Sequence, residues 1–465
     1  MVRTSSIAAV AAAVATALAA AGAAQAATWH QVTPTGGGTI DEVALVRTAD
    51  GVLHAAWVQK DGTNQDVATR TIDPAGRTLG PVALIAASWA GVGNPALTTG
   101  PGGLRAFFGG LHSTDTNDPN SDLNTAVSPD GGATWAVQPF NASDGTAAYA
   151  SDVGAALLPS GVPITAWGST FGLFVTTGTT PSAVFDMQGQ LGGCCGYDPG
   201  LAVDAGGTPY VAWASNASGK SGVWAQALSA DGSAVGAPRL MPGVLGSDFD
   251  QQLQRTPIAA RAGGGVYVAY HGGYPTATRT VLWRVGAPKS VTVARSASEH
   301  RVTLSAGPDG RLWVVWSDRN GIYAKRSNKA ATVFGATVRA GQPHGTVSIY
   351  RVDASAAPDG GVDVFALTSA GANSTWQARV LPGLTLRASP AKIRRGRATK
   401  VTFTVLDAGT PVSGAKVSAG GHSATTGGSG KVKLQLSPGR RTRRIAARAA
   451  RGGYVGAKTT VRTRR

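Results

Sequence analysis

The chain has 465 residues, 64 of them glycine, a net charge of +17, and only 14% charged side chains. That charged share lies well below the roughly 25% of an average soluble protein, and only two glutamates occur, Glu42 and Glu299. The composition excludes long amphipathic helices, whose exposed faces favour Glu, and suits short strands joined by tight glycine turns.

The first element reads as a targeting segment over residues 1–26. Arg3 supplies the positive start, Ile7 to Ala21 an Ala/Val-rich apolar stretch, and Ala24-Gln25-Ala26 a small-residue cleavage site. No later run is apolar over the about 18 residues that a spanning helix needs. The mature chain is therefore expected to be secreted or held at the cell surface, without a transmembrane helix.

From residue 27 to 383 a unit recurs: an apolar strand, a Gly turn often carrying Asp, and a second apolar strand ending in an aromatic. The aromatics are Trp57, Phe108, Trp167, Trp213, Tyr270, Trp316 and Phe365, at intervals of 51, 59, 46, 57, 46 and 49 residues. This is close to the about 40–50-residue period of propeller blades, with insertions in the longer copies. Third strands such as DVATRTID, GVWAQALS and GIYAKRS follow in each copy. The expected fold is an all-β propeller of seven blades, or six plus a degenerate copy, with the aromatics wedged between blades. Which segment closes the ring is not legible.

Two features interrupt the repeat. The loop from Asp115 to Asn124 is dense in oxygen ligands, which suits either an ordinary polar turn or a structural calcium ion; no other cofactor is expected. The only cysteines, Cys194 and Cys195, are adjacent and cannot staple distant strands, so disulfides do not hold the fold.

The turn Ser128-Pro-Asp130-Gly-Gly-Ala-Thr-Trp135 reads SxDxGxTW and resembles the Asp-box, or BNR repeat, of sialidase-type propellers. The resemblance covers one copy fully and others in outline, at 73–76 and 230–233. It implies a turn between third and fourth strands, away from an active face, and so speaks to fold rather than catalysis.

From residue 384 to 465 the pattern changes to alternating strands over about 80 residues, which suits a small β-sandwich. The run from Asp407 to Val417, with Gly452-Gly-Tyr454 later, resembles carboxypeptidase-regulatory-like and bacterial immunoglobulin-like modules. From Leu386 onward there are 19 Lys/Arg and one acid, Asp407, a net of +18; the preceding residues carry 23 basic and 24 acidic side chains, a net of −1. The basic character thus belongs to one small domain, which should associate with polyanions such as cell-wall polymers, acidic polysaccharide or anionic lipid. Nucleic acid is not the expected partner, because no base-reading motif is visible. A solubilising bias toward arginine is the alternative.

Candidate site residues follow from the repeat. Counting nine residues back from Gly51, Gly103, Gly161, Gly207, Gly264, Gly310 and Gly360 lands on Glu42, Asn94, Asp152, Asp198, Arg255, Arg301 and Arg351. If the first strands line the channel, these residues face its mouth. Three guanidiniums there make a carboxylate or phosphate clamp, since each offers a planar, bidentate fork. Tyr350 and His300 are placed to stack on a sugar. The same arginines pairing with Glu42, Asp152 and Asp198 as a structural ring is the alternative.

The sialidase resemblance implies an arginine triad, a tyrosine nucleophile with a glutamate partner, and an aspartate acid/base. Here the three arginines fall in consecutive copies and the Arg-Ile-Pro motif is absent, with Arg255-Thr-Pro257 its nearest echo. The expected function is accordingly a binding propeller for an anionic glycan or cell-wall polymer, monomeric and tethered to the envelope by its basic domain, with no catalytic residue assigned. A sialidase-type glycoside hydrolase and a purely structural surface protein are the alternatives.

Overall fold

The computed structural model describes residues 27–465 apart from 34–42, 101, 112–121, 139–151, 170–171, 179–184, 187–195, 216–218, 244–254, 273–277, 296–298, 319, 344, 347 and 370–372. The targeting segment, Glu42, the cysteine pair and most of the Asp115 to Asn124 loop therefore lie outside the described residues. The chain forms two compact units, one of Ala27–Thr332 with Arg339–Val380, the other of Val333–Val338 with Leu381–Arg465. Among the described residues no helix is long and apolar enough to cross a membrane.

Local turn chemistry builds the first unit. The hairpin between first and second strands recurs with one geometry, in which a glycine N–H donates to the carbonyl three residues earlier: Gly51 to Thr48, Gly161 to Leu158, Gly207 to Asp204, Gly264 to Arg261, Gly310 to Gly307 and Gly360 to Ala357. At Gly207 the backbone sits at φ +87°, in the left-handed region, and a Cβ there would stand 2.8 Å from Pro159 in the turn of the preceding copy. The turn thus selects glycine twice, once by conformation and once by packing.

Each hairpin grows into an antiparallel sheet, and the architecture is an all-β propeller. The described residues form seven sheets, whose inner strands are Val43–Arg47, Ala96–Gly100, Val153–Leu157, Gly196–Val203, Ile258–Ala260, Glu299–Ala306 and Ser348–Ala356. Each inner strand lies beside that of the next sheet, and the seventh lies beside the first, so the circuit is closed. The closing segment is also visible: His30–Gln31 pairs antiparallel with Asn373–Val380 as the outermost strand of the seventh sheet.

An ion network reinforces that closure. Asp363, on the second strand of the seventh sheet, is wholly buried. Its Oδ2 accepts from Arg47 Nη2 of the first sheet at 2.6 Å and from Arg379 Nη2 at 2.9 Å. Its Oδ1 accepts from Arg379 Nε at 2.8 Å and Gln377 Nε2 at 2.7 Å. Arg379 also donates to the Pro74 carbonyl of the first sheet at 2.9 Å. Asp363 is the counter-charge that ties the two ends of the ring together.

The aromatics pack between sheets, as the repeat requires. Trp213 joins Val211, Leu158 and Ile164, spanning the third and fourth sheets. Trp57 clusters with Phe365 and Leu367, spanning the first and seventh. One alignment needs correction. Trp316 stands opposite Val302, and the matching partner of Val352 is Ala366 rather than Phe365. Phe365 is therefore one residue out of step with the other aromatics, and a one-residue shift in a strand turns a side chain to the other face.

The Ser128 to Trp135 turn joins the third and fourth strands of the second sheet. Asp130 accepts from the Thr134 amide at 2.9 Å, the Thr134 hydroxyl at 2.6 Å and the Ser128 hydroxyl at 2.8 Å. These bonds, the Thr134 hydroxyl's first, pull its carboxyl down to about 2.

The second unit contains two sheets. One holds Thr385–Ser389, Thr399–Asp407, Thr410–Pro411 and Lys431–Leu436; the other holds Lys392–Arg394, Ala457–Arg464, Arg444–Ala450, Lys416–Ala419 and His422–Thr425. Alternating positions of both, including Val401, Phe403, Leu434, Val417, Ala447 and Val461, bury into one core.

Candidate ligand site at the axial mouth

The hairpin register fixes which inner-strand positions are equivalent. The last paired residues are Arg47, Leu157, Val203, Ala260, Ala306 and Ala356. Five residues before each stand Glu42, Asp152, Asp198, Arg255, Arg301 and Arg351. Among the described residues, Asp152, Asp198, Arg255, Arg301 and Arg351 thus occupy one position of the repeat, at or just before the start of adjoining inner strands. Arg301 and Arg351 each follow a register irregularity, between Glu299 and Arg301 and between Ile349 and Arg351. Such bulges re-aim side chains at the ends of strands.

The structure then shows what each does. Arg255 reaches from the fifth sheet to the second, where its Nη2 donates to the Pro95 carbonyl at 2.8 Å. Beside it, Asn94 Nδ2 donates to Asp152 Oδ1 at 2.9 Å, joining the second and third sheets. Asp198 is buried at φ +53°, and its carbonyl accepts from the Thr256 amide at 2.8 Å, joining fourth to fifth. Arg301, 9% exposed, donates through Nε to the Tyr350 carbonyl, joining sixth to seventh. Arg351 is half-buried on the neighbouring inner strand, and the Tyr350 side chain is 42% exposed. His300 lies on the inner strand Glu299–Ala306, but its side chain, like all of Glu42, is outside the described residues.

Close backbone approach holds the arrangement. At Gly200 a Cβ would stand 2.1 Å from the Thr256 carbonyl oxygen, and at Gly154 one would stand 2.6 Å from the Pro199 carbonyl oxygen. Neighbouring inner strands come so near that these positions admit no side chain.

One residue that the repeat count missed belongs to this group. Two positions further along, the copies carry Ala44, Gly154, Gly200, Pro257 and Thr303, and the seventh carries Asp353. That break in a run of small or uncharged residues was the available signal. Asp353 Oδ1 accepts from the Thr303 hydroxyl at 3.4 Å. By surface area the residue is half-buried, yet protein surrounds it, and the enclosure dominates its chemistry. Desolvation pushes its carboxyl up to about 6, against the Arg255 charge, the Ala354 amide and the Thr303 hydroxyl, each of which favours the ionised form.

Two further aromatic side chains pack against protein. Trp89 packs edge-on against Phe108 at 5.3 Å in the interface of the first and second sheets, and His271 is buried and stacked on Tyr270 at 4.8 Å. Among the described residues no group of three or more His, Cys, Asp or Glu side chains is arranged to hold a metal ion.

Comparison with known proteins gives limited company. No protein-family model matches the chain, and no curated protein matches it. Among solved structures, a protein of unknown function from Dyadobacter fermentans DSM 18053 is 12% identical, with a TM-score of 0.44, covering 76% of this chain and 97% of its own. An ulvan lyase bound to -[GlcA(1-4)Rha3S]- is 10% identical, with a TM-score of 0.47, covering 76% of this chain and 96% of its own. The polysaccharide lyase Uly1 is 9% identical, with a TM-score of 0.46, covering 72% and 89%. At these identities and scores no chemistry passes from them to this chain.

Proposed function

We propose that this chain is an exported, sialidase-like binding propeller that takes the anionic group of a glycan at its axial mouth, while the basic, immunoglobulin-like C-terminal unit holds it at a polyanionic envelope surface. The observation that carries the reading is that Arg255, Arg301 and Arg351 stand at one position of the repeat, at or just before the start of three successive inner strands. Guanidiniums in a narrow, partly desolvated mouth attract carboxylate or sulfate more strongly than they would in open water. Arg255 and Arg301 already donate one N–H each to backbone carbonyls, which fixes their planes and lowers the entropy lost on binding. Asp353 sets the pH range: when it ionises, it partly neutralises Arg255 and opposes an incoming anion.

Glycoside hydrolysis is the second reading, favoured by one observation. An enclosed carboxyl raised to about 6 beside an arginine has the character of a general acid. A glycan array on the full chain tests binding, and a fluorogenic sialoside assay with Arg301→Ala as control tests hydrolysis. Retention of carboxylated or sulfated glycans that is lost in Arg301→Ala, with no turnover, supports the binding propeller. Turnover abolished by Asp353→Asn supports the enzyme, and a blank in both assays refutes the two.

A further inference from the structure

The most one-sided surface on the molecule lies in the second unit. In its five-stranded sheet, Lys392 stands opposite Arg462 and Arg394 opposite Arg464. Arg462 in turn stands opposite Arg444, and Lys458 opposite Arg448. Arg448 continues across to Ser418 and Ser423, and Lys416 stands opposite Thr425. Strand alternation puts all of these on one face, with Ala446, Ala450 and Thr460. Ile393, Val417, Ala419, Ala447, Ala449 and Val461 point the other way, into the core.

That face carries eight exposed cations, Lys392, Arg394, Lys416, Arg444, Arg448, Lys458, Arg462 and Arg464, and no acid. Residues 384–465 contain a single acidic side chain, Asp407, which belongs to the other sheet and is buried, 2% exposed. Four cross-strand pairs set like charges directly opposite each other, an arrangement that weakens a sheet. A surface shaped for solubility alone intersperses both signs. The cost is sustained on one face and offset by nothing inside the unit, which marks the face as a place where an anion is meant to lie.

We propose that this face docks a linear polysaccharide carrying sulfate or carboxylate groups along its length. The inference rests on reading this unit as the part that holds the protein at a polyanionic surface, and it assigns the residues and the partner. Arginine forks take sulfate and carboxylate in bidentate fashion. Ser418, Ser423, Thr425 and Thr460 lie among them as hydroxyl partners for sugar hydroxyls. The row of Lys392, Arg462 and Arg444 stands four residues from that of Lys458 and Arg448, about 13 Å along the strands, so an extended chain meets cations at intervals. The face carries no aromatic ring on which bases could stack, and no large apolar side chain to enter a bilayer. That composition favours a glycan over single-stranded nucleic acid or membrane.

The test uses the full chain on immobilised dextran sulfate at physiological salt, with duplex DNA and phosphatidylserine vesicles as the other arms. One variant carries Arg444→Thr, Arg448→Thr, Lys458→Thr and Arg462→Thr. Its control carries Arg387→Thr, Lys400→Thr, Lys431→Thr and Lys433→Thr, four exposed cations on the outer face of the other sheet. Both remove the same net charge. The first variant is expected to lose about tenfold or more in dextran sulfate affinity and the control less than about threefold, because cations in contact with a polyanion count for more than the overall field. The first variant should also unfold at the same or a higher temperature than the parent, since three of the four repulsive pairs are gone. Equal losses in both variants, no binding by the parent, or tighter binding to DNA or vesicles than to dextran sulfate would overturn the proposal. Dextran sulfate binding that Arg301→Ala leaves intact and the four threonine substitutions weaken separates this face from the propeller mouth.

Discussion

Replacing Asp363 by alanine should open the ring. The wild-type carboxylate is fully buried and accepts four hydrogen bonds at 2.6–2.9 Å, three of them from the arginines of the first and seventh sheets. Summing bonds to charged groups at about 1.5–3 kcal/mol each would overshoot, because such bonds act as one unit. The better guide is the loss of one partner from a buried ion pair, about 3–5 kcal/mol. Arg47 and Arg379 retain bonds to the Ala356, Gly51 and Pro74 carbonyls and a bridge to Asp359 at 2.8 Å, so about 4 kcal/mol is the expected cost. Urea unfolding followed by the fluorescence of the buried tryptophans measures it. Limited proteolysis should show new cleavage near the His30–Gln31 strand once that closure loosens. The control is Asp309→Ala, which breaks a 3.2 Å bridge to Arg311 from an aspartate 40% exposed and should cost no more than about 1 kcal/mol. If the two variants were equally stable, the claim that Asp363 locks the ring would be wrong.

Two further outcomes follow from the packing and the titration. Trp213→Ala, at a fully buried wedge between the third and fourth sheets, should cost about 3–5 kcal/mol in the same assay. Asp353 has a folded pKa of about 6, above its unfolded value of 3.8, so the folded state holds the proton more tightly. Its favourable contribution is therefore complete below about pH 4 and lost as pH rises through 6. Comparing wild type with Asp353→Asn at pH 4.5 and 7.5, the variant should gain relative stability at the higher pH, by up to about 2 kcal/mol. Asp130 and Asp231, both held at about 2, titrate below this window and do not blur it. A difference that does not change with pH would sink the assignment.

What was legible in the sequence was local. The glycine turns and strand periods announced the sheets because each turn needs a backbone that other residues resist, and the count from those glycines reached equivalent positions of the repeat because six of the hairpins share one register. Three things were hidden. The closing strand His30–Gln31 is two residues long and has no period to detect. Phe365 was assigned the place of Ala366, since an aromatic pattern does not reveal a one-residue shift of face. The partners of Asp152 and Arg255, namely Asn94 and the Pro95 carbonyl, lie 58 and 160 residues away along the chain, and only the closed ring brings them together.

The central claim is that an anion sits among the mouth arginines. Isothermal titration of the full chain with an acidic oligosaccharide retained on the array, and with its carboxyl-reduced analogue, tests this most directly. The account predicts affinity for the acidic form alone, stronger at pH 5.5 than at 7.5, and lowered about tenfold by Arg351→Gln through loss of a charged hydrogen bond. Equal binding of the neutral analogue, unchanged by that substitution, would contradict it.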